Sequence, residues 1–272
     1  VGFVTTPAHS AVRAPHLADW ALAHGRSALT TQDIADALGI PQRQVSERLA
    51  APMARHEWVR PVRGLWLPVP PEFRTWGAPP GIEVVDLVAQ HLRLDYYVGW
   101  LSAAQLHGAA HQSPQVLQVA VSRQLRDRAV GRTSFQFHRR SDITLVPVVH
   151  HATRAGQARL STVEATVLDI ARDVALAGGI DNAATVILEL DEIHALDRDE
   201  VVRLASTVPT AAVRRLGYVL DRLGGRGDLE GLRTVALSGP STPARLDPSG
   251  TATGPVDATW LVRRNRDVEV DG

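Results

Sequence analysis

Along the first eighty residues the period of the apolar positions changes from helical to strand-like. Leu17, Trp20, Ala21 and Ala23 fall at helical spacing and predict one short helix over residues 16–24. Ile34, Ala35, Leu38, Ile40, Val45 and Leu49 predict two more helices. Gly39 separates that pair and Pro41 opens the later one, the usual asymmetry of glycine after a helix and proline at its start. Thr30 or Thr31 can cap the second helix, and Asp33 in its first turn suits the helix dipole. Two short strand-like runs follow, Trp58-Val59-Arg60 and Leu65-Trp66-Leu67. They flank Pro61-Val62-Arg63-Gly64, where Gly64 tolerates a positive φ. Three helices and a hairpin in this order predict a winged helix-turn-helix.

Residues 67–81, LPVPPEFRTWGAPPG, hold five prolines and two glycines, which predicts a linker and a domain boundary. The expected division is residues 1–76, the winged helix-turn-helix with its wing and the start of the linker, and residues 77–272. Beyond the linker, residues 82–93 and 97–106 have helical patterns, while residues 115–122, 134–139 and 143–149 have strand patterns. Ser161-Thr162-Val163-Glu164 has the form of a capping box before a helical run through Asp173. Helices are expected to about Leu237, with a late strand over residues 259–263. Strands first and helices afterwards predict a larger mixed α+β domain, so the fold class is α+β throughout.

Candidate chemistry concentrates in residues 30–50, TTQDIADALGIPQRQVSERLA. A helix-turn-helix needs a small residue where its helices touch, a residue tolerant of unusual φ in the turn, and a branched apolar plug beyond it. Ala35, Gly39 and Val45 stand at those positions. The reading helix is expected over residues 41–55, with Gln42, Arg43, Ser46 and Glu47 on its outer face as base readers. Glutamine and arginine make bidentate contacts with adenine and guanine edges. Thr31 and Gln32, at a helix N-terminus, are placed for a phosphate, and Arg48, Arg60 and Arg63 add phosphate-directed charge. An amphipathic helical hairpin with a merely polar face would show the same spacing. The hairpin that follows directly, with arginine at its tip, favours double-stranded DNA. Pro52 lies inside the reading helix, where it either bends the helix or ends it near Ala51.

Composition removes competing classes. Hydrophobic residues make up 44% of the chain, ordinary for a globular protein, and no apolar run reaches the roughly 18 residues of a membrane helix. There is no cysteine, hence no disulfide, thiol catalysis or cysteine-based zinc site. The opening VGFVTTPAHSAVRAP lacks the basic end and apolar stretch of a secretory signal, so a cytoplasmic location is expected. All 29 basic residues are arginine, a bias that fits genome composition, and they balance 29 acidic ones. The distribution is uneven. Residues 123–159 hold eight arginines against Asp127 and Asp142, and residues 164–200 hold ten acidic side chains against Arg172 and Arg198. Either two solvated faces or a polarised partner surface would account for this.

Enzymatic motifs are weak. His107 and His111 stand four apart, but Gly108 follows the first and no glutamate is near, which argues against a metal pair. His150-His151 is expected at a strand end, and Asp191, Glu192 and His194 at a solvated helix junction. Gly224-Gly225-Arg226-Gly227 follows a helix rather than a strand, unlike a phosphate loop, and Gly-x-Ser-x-Gly is absent. No catalytic residue, metal or cofactor is expected.

Several longer motifs carry a resemblance. The wing WVRPVRGLWLPV, then LSAAQLHG at residues 101–108 with VLQVAVSRQLR after it, and RLSTVEATVLDIARD at residues 159–173 with Gly178-Gly179-Ile180-Asp181 are the main ones. Together with the closing ARLDPSGTATGPVDATWLVRRNRDVEVD, they resemble the AbiEi-type antitoxins, regulators of bacterial toxin–antitoxin operons. The resemblance implies a non-enzymatic repressor of its own operon, bound to repeated operator half-sites, that opposes a nucleotidyltransferase-type toxin directly or functionally. A winged-helix regulator with a ligand-sensing second domain is the alternative.

Overall fold

The computed structural model describes residues 13–109 and 115–270, and the chain divides in it into two units. His111 lies outside the described residues. The first unit runs to Leu94 and takes in two later segments, Asp127–Phe135 and Ala152–Gln157. The second comprises Asp95–Arg126, Gln136–His151 and the chain from Ala158 onward.

In the first unit, α1 (Leu17–Ala23) is followed by β1 (Leu29–Thr30) and α2 (Thr31–Leu38). Thr30 is the cap of α2. Its hydroxyl accepts from the Asp33 N–H, and the Asp33 carboxylate accepts from the Thr30 N–H at 2.7 Å, a reciprocal box. Gly39 ends the helix at φ 65°, a conformation that costs an L side chain energy. Residues Gln42–Gln44 form a single 3-10 turn, continued by α3 (Val45–Arg48) and α4 (Ala50–Ala54). Leu17, Ile34, Val45, Leu49, Trp58 and Trp66 close the core.

Pro52 bends the reading helix without ending it. It has no N–H to give the Arg48 carbonyl, and its ring crowds that carbonyl, so the regular helix is interrupted at Leu49 and resumes at Ala50. The bonds on either side persist, Leu49 N–H to Val45 and Met53 N–H to Leu49. The wing is β2 (Trp58–Val62) antiparallel to β3 (Leu65–Pro68), with Gly64 at φ 85° in the turn. The register shifts between Val59 and Val62, around Pro61, which has no donor for the ladder. Leu29 and Thr30 add a third strand on β3, too short to leave a periodic signal.

The proline-rich stretch is packed rather than loose. The Val69 N–H bonds the Glu57 carbonyl at 2.9 Å, Arg74 pairs with Asp19 at 2.9 Å, and Ala78 is buried. Helix α5 (Gly81–Leu92) belongs to the same compact unit, whose first stretch runs to Leu94. A hairpin of β6 (Arg128–Val130) with the start of β7 (Thr133–Arg139) completes this unit, and Arg128 donates to the Pro61 carbonyl at 3.1 Å.

The second unit contains β4 (Tyr96–Val98), α6 (Trp100–Leu106), β5 (Val116–Val121), most of β7, and parts of β8 (Val148–Thr153) and β9 (Gly156–Ser161). Their order is β7-β5-β4-β9-β8, with β4 antiparallel to β5 and parallel to β9. Helices α7 (Val163–Arg172), α8 (Ile180–His194), α9 (Arg198–Ala205), α10 (Thr210–Tyr218) and α11 (Glu230–Leu237) follow. Their buried Val167, Ile170, Ile187, Leu204 and Leu216, with Trp260 from the later chain, make one core.

Several local expectations are corrected. Tyr96–Val98 is a strand where residues 97–106 had a helical pattern. Residues 143–145 form a 3-10 turn, and His150-His151 lie inside β8 rather than at its end. Thr162, not Ser161, caps α7, because the Ser161 hydroxyl is bonded to Thr166. The late strand shrinks to Val262–Arg263, in a small sheet with Ala244–Arg245 and Val256–Asp257.

Candidate nucleic-acid interface

Val45 and Leu49 are buried, which turns the opposite side of the reading helix to solvent. Gln42, Arg43, Ser46, Glu47 and Arg48 are all exposed. Arg60 and Arg63 are exposed on the wing, where the Arg60 guanidinium lies 5.2 Å from the centroid of Trp66. Among the described residues, Arg43, Arg48, Arg60 and Arg63 make no ion pair. Other arginines of the same unit do: Arg55 with Glu57, Arg74 with Asp19, and Arg154 with Glu72.

The N-terminus of α2 is partly occupied by its own chain. The Thr31 N–H donates to the Gly64 carbonyl at 3.0 Å, and the Thr31 hydroxyl accepts from the Trp66 indole N–H at 3.0 Å. These bonds lock the wing to the helix-turn-helix and leave Thr31 its hydroxyl proton as a donor. Gln32 is exposed and bonded at both ends of its amide, to Asp36 and to Gln42.

The second unit holds a charged cluster that sequence reasoning did not find. Arg140 and Asp169 form an ion pair with side chains 4% and 2% exposed. The Tyr97 hydroxyl donates to Asp169 at 2.8 Å and accepts from Arg140 at 2.5 Å. Asp142 takes Arg140 at 3.1 Å and Arg172 at 3.0 Å, and the Trp100 indole donates to Asp173 at 3.1 Å. Burial, then the Asp169 charge, raises the Tyr97 phenol above its ordinary value. Burial opposes ionisation of Asp142 too, but the Arg140 hydrogen bond and charge outweigh it and hold the carboxyl down at about 2. Gly99 lets this cluster close, since a Cβ there would fall 2.8 Å from the Tyr97 ring. Its members tie β4 and β7 to α7, the work of a clamp. The signal available in the sequence was one carboxylate, Asp169, inside the otherwise apolar run VLDIA.

Most other candidates from the sequence are engaged by partners within the chain. His107 donates to the Ser161 carbonyl at 2.8 Å, and burial lowers its imidazole below the ordinary value despite that bond. His194 donates to the His107 carbonyl. Asp191 is not solvated: it is buried between Arg198 at 2.8 Å and Arg226 at 3.0 Å, whereas its neighbour Glu192 is exposed. Among the described residues no three acidic or histidine side chains gather as a metal site would need, and no helix is long and apolar enough to cross a membrane. Some members of the two charged segments are paired locally, by Arg140–Asp169, Arg198–Asp191 and Arg266–Asp181.

The architecture is a winged helix-turn-helix followed by a larger α+β unit. Residues 97–222, most of which lie in the second unit, match the family described as the AbiEi antitoxin C-terminal domain. The matched stretch includes the motifs at residues 101–108 and 159–173, which resemble the same family in the sequence. Among solved structures it is similar to the RV2827C protein from Mycobacterium tuberculosis. That likeness has a TM-score of 0.66 and 18% identity, and it covers 95% of this chain and 94% of that one. It shows a shared fold. No curated protein matches the sequence.

Proposed function

We propose that this protein is a DNA-binding antitoxin that represses its own operon in the bacterial cytoplasm. In this reading it opposes a nucleotidyltransferase-type toxin and catalyses no reaction itself. One observation carries the DNA reading: Arg43, Arg48, Arg60 and Arg63 are exposed and, among the described residues, without ion pairs around the outer face of a helix-turn-helix and its wing. A guanidinium with no carboxylate partner is available to a phosphate or a guanine edge. Gln42, Arg43, Ser46 and Glu47 are assigned to bases, and Arg48, Arg60, Arg63 and the Thr31 hydroxyl to the backbone. The domain at residues 97–222 is assigned to the toxin.

Binding of the full chain to the DNA upstream of its own gene, against random duplex, tests the first assignment. Arg43→Ala should cost roughly 1–3 kcal/mol on the former and much less on the latter. Equal losses on both would make Arg43 a phosphate contact. Co-expression with the product of the neighbouring gene tests the second, with restored growth as the expected result.

A further inference from the structure

Three exposed side chains span the turn between α2 and the reading helix in a directed chain of hydrogen bonds. Gln32 donates its amide nitrogen to Asp36 Oδ1 at 2.6 Å, and the Gln32 carbonyl oxygen accepts from the Gln42 amide nitrogen. The chemistry allows one polarity. An ionised carboxylate only accepts, so the Gln32 nitrogen must face Asp36. Its oxygen then faces Gln42, and Gln42 must turn its nitrogen toward Gln32. That leaves Gln42 with one amide proton and its carbonyl oxygen for anything that approaches the reading helix.

We infer that Asp36 and Gln32 are positioning residues that fix the Gln42 amide to read adenine in an A·T pair. This rests on the DNA-binding reading above and names what one position of the site recognises. Adenine offers N7 as acceptor and N6 as donor in the major groove, the complement of the free proton and oxygen of Gln42. Guanine offers two acceptors there, so the Gln42 oxygen would meet the guanine O6 acceptor to acceptor. A glutamine held in this way also loses less rotamer freedom on binding than a free one. Gln32, placed at the helix N-terminus, thereby acts through Gln42 rather than as a plain phosphate contact.

The test is enrichment of the full-length protein on a randomised duplex library, then binding to the selected duplex and its single-base variants. Wild type should require A at one position per recognition unit, with roughly a 5- to 150-fold loss on replacement. Gln42→Ala should abolish that preference. Gln32→Ala should weaken it several-fold at that position alone, while affinity for unselected duplex stays within about twofold, as expected where backbone contacts are untouched. Asp36→Ala should weaken the preference likewise, on top of a uniform gain in affinity for every duplex from the lost negative charge. Gln32→Glu should retain the preference, because a carboxylate at 32 can only accept from Gln42, and should weaken binding to every duplex by its charge. If Gln32→Ala and Asp36→Ala keep the wild-type preference, the positioning role is overturned and DNA binding stands. If wild type enriches no motif and binds no duplex, the DNA reading fails and this inference with it.

Discussion

Arg140 and Asp169 show how much a single buried charge can control. Both side chains are almost wholly withdrawn from water, so each depends on the other and on the Tyr97 hydroxyl. Breaking such a pair leaves an uncompensated buried charge, which costs about 3–5 kcal/mol. Arg140→Met should therefore lower unfolding stability by that amount in urea titrations, and Arg140→Met with Asp169→Leu should recover a large part of it. A single-variant loss below about 1 kcal/mol would show that the clamp contributes little. Asp142 gives the same cluster a pH signature. Its folded pKa, at about 2, lies below the ordinary carboxyl value, so its stabilisation is present above about pH 4 and is lost as pH falls through about 2. The stability difference between wild type and Asp142→Asn should be constant above about pH 4 and shrink below it, and a flat difference would place the ionisation elsewhere.

At the scale of elements, the helix-turn-helix was legible because its requirements are local. Ala35, Gly39 and Val45 lie within eleven positions, and Gly39 does adopt the left-handed turn while Val45 is buried. The wing was legible for the same reason, through Gly64. What stayed hidden depends on distant partners. Tyr96–Val98 is a strand only because β5 and β9 flank it, and Thr162 outcompetes Ser161 as a cap because Ser161 is bonded to Thr166. The charged clamp joins residues 72 and 43 positions apart, beyond the reach of any spacing rule. The wing itself carries a prediction. If Arg60 and Arg63 each meet a phosphate, their joint replacement by alanine should weaken binding to all duplexes. It should also make the slope of log affinity against log salt shallower by about two. An unchanged slope would remove the wing from the backbone contacts.

At the scale of the whole molecule, zero net charge means that no overall attraction draws the chain to a polyanion such as DNA. Specific contacts must then supply recognition. The division into units matters as well, because the first is assembled from three separate stretches of chain. A fragment ending at Leu94 lacks the Arg128 bond to the Pro61 carbonyl and the Arg154–Glu72 pair. Its thermal unfolding, followed by near-ultraviolet circular dichroism, should show a loss of at least about 1.5–3 kcal/mol, the worth of a hydrogen bond to a charged donor. Equal stability would mean that the later segments add nothing to this unit.

The same three-stretch assembly has a consequence for synthesis on the ribosome. The helix-turn-helix emerges early, yet the unit that contains it is complete only once Gln157 has left the exit tunnel. At about 5–20 residues per second, several seconds separate the release of Leu94 from that moment. A nascent chain cut short by a premature stop would thus display the reading helix on an unfinished scaffold. Only a chain translated past Gln157, well beyond the point where Leu94 is made, would carry that unit fully assembled.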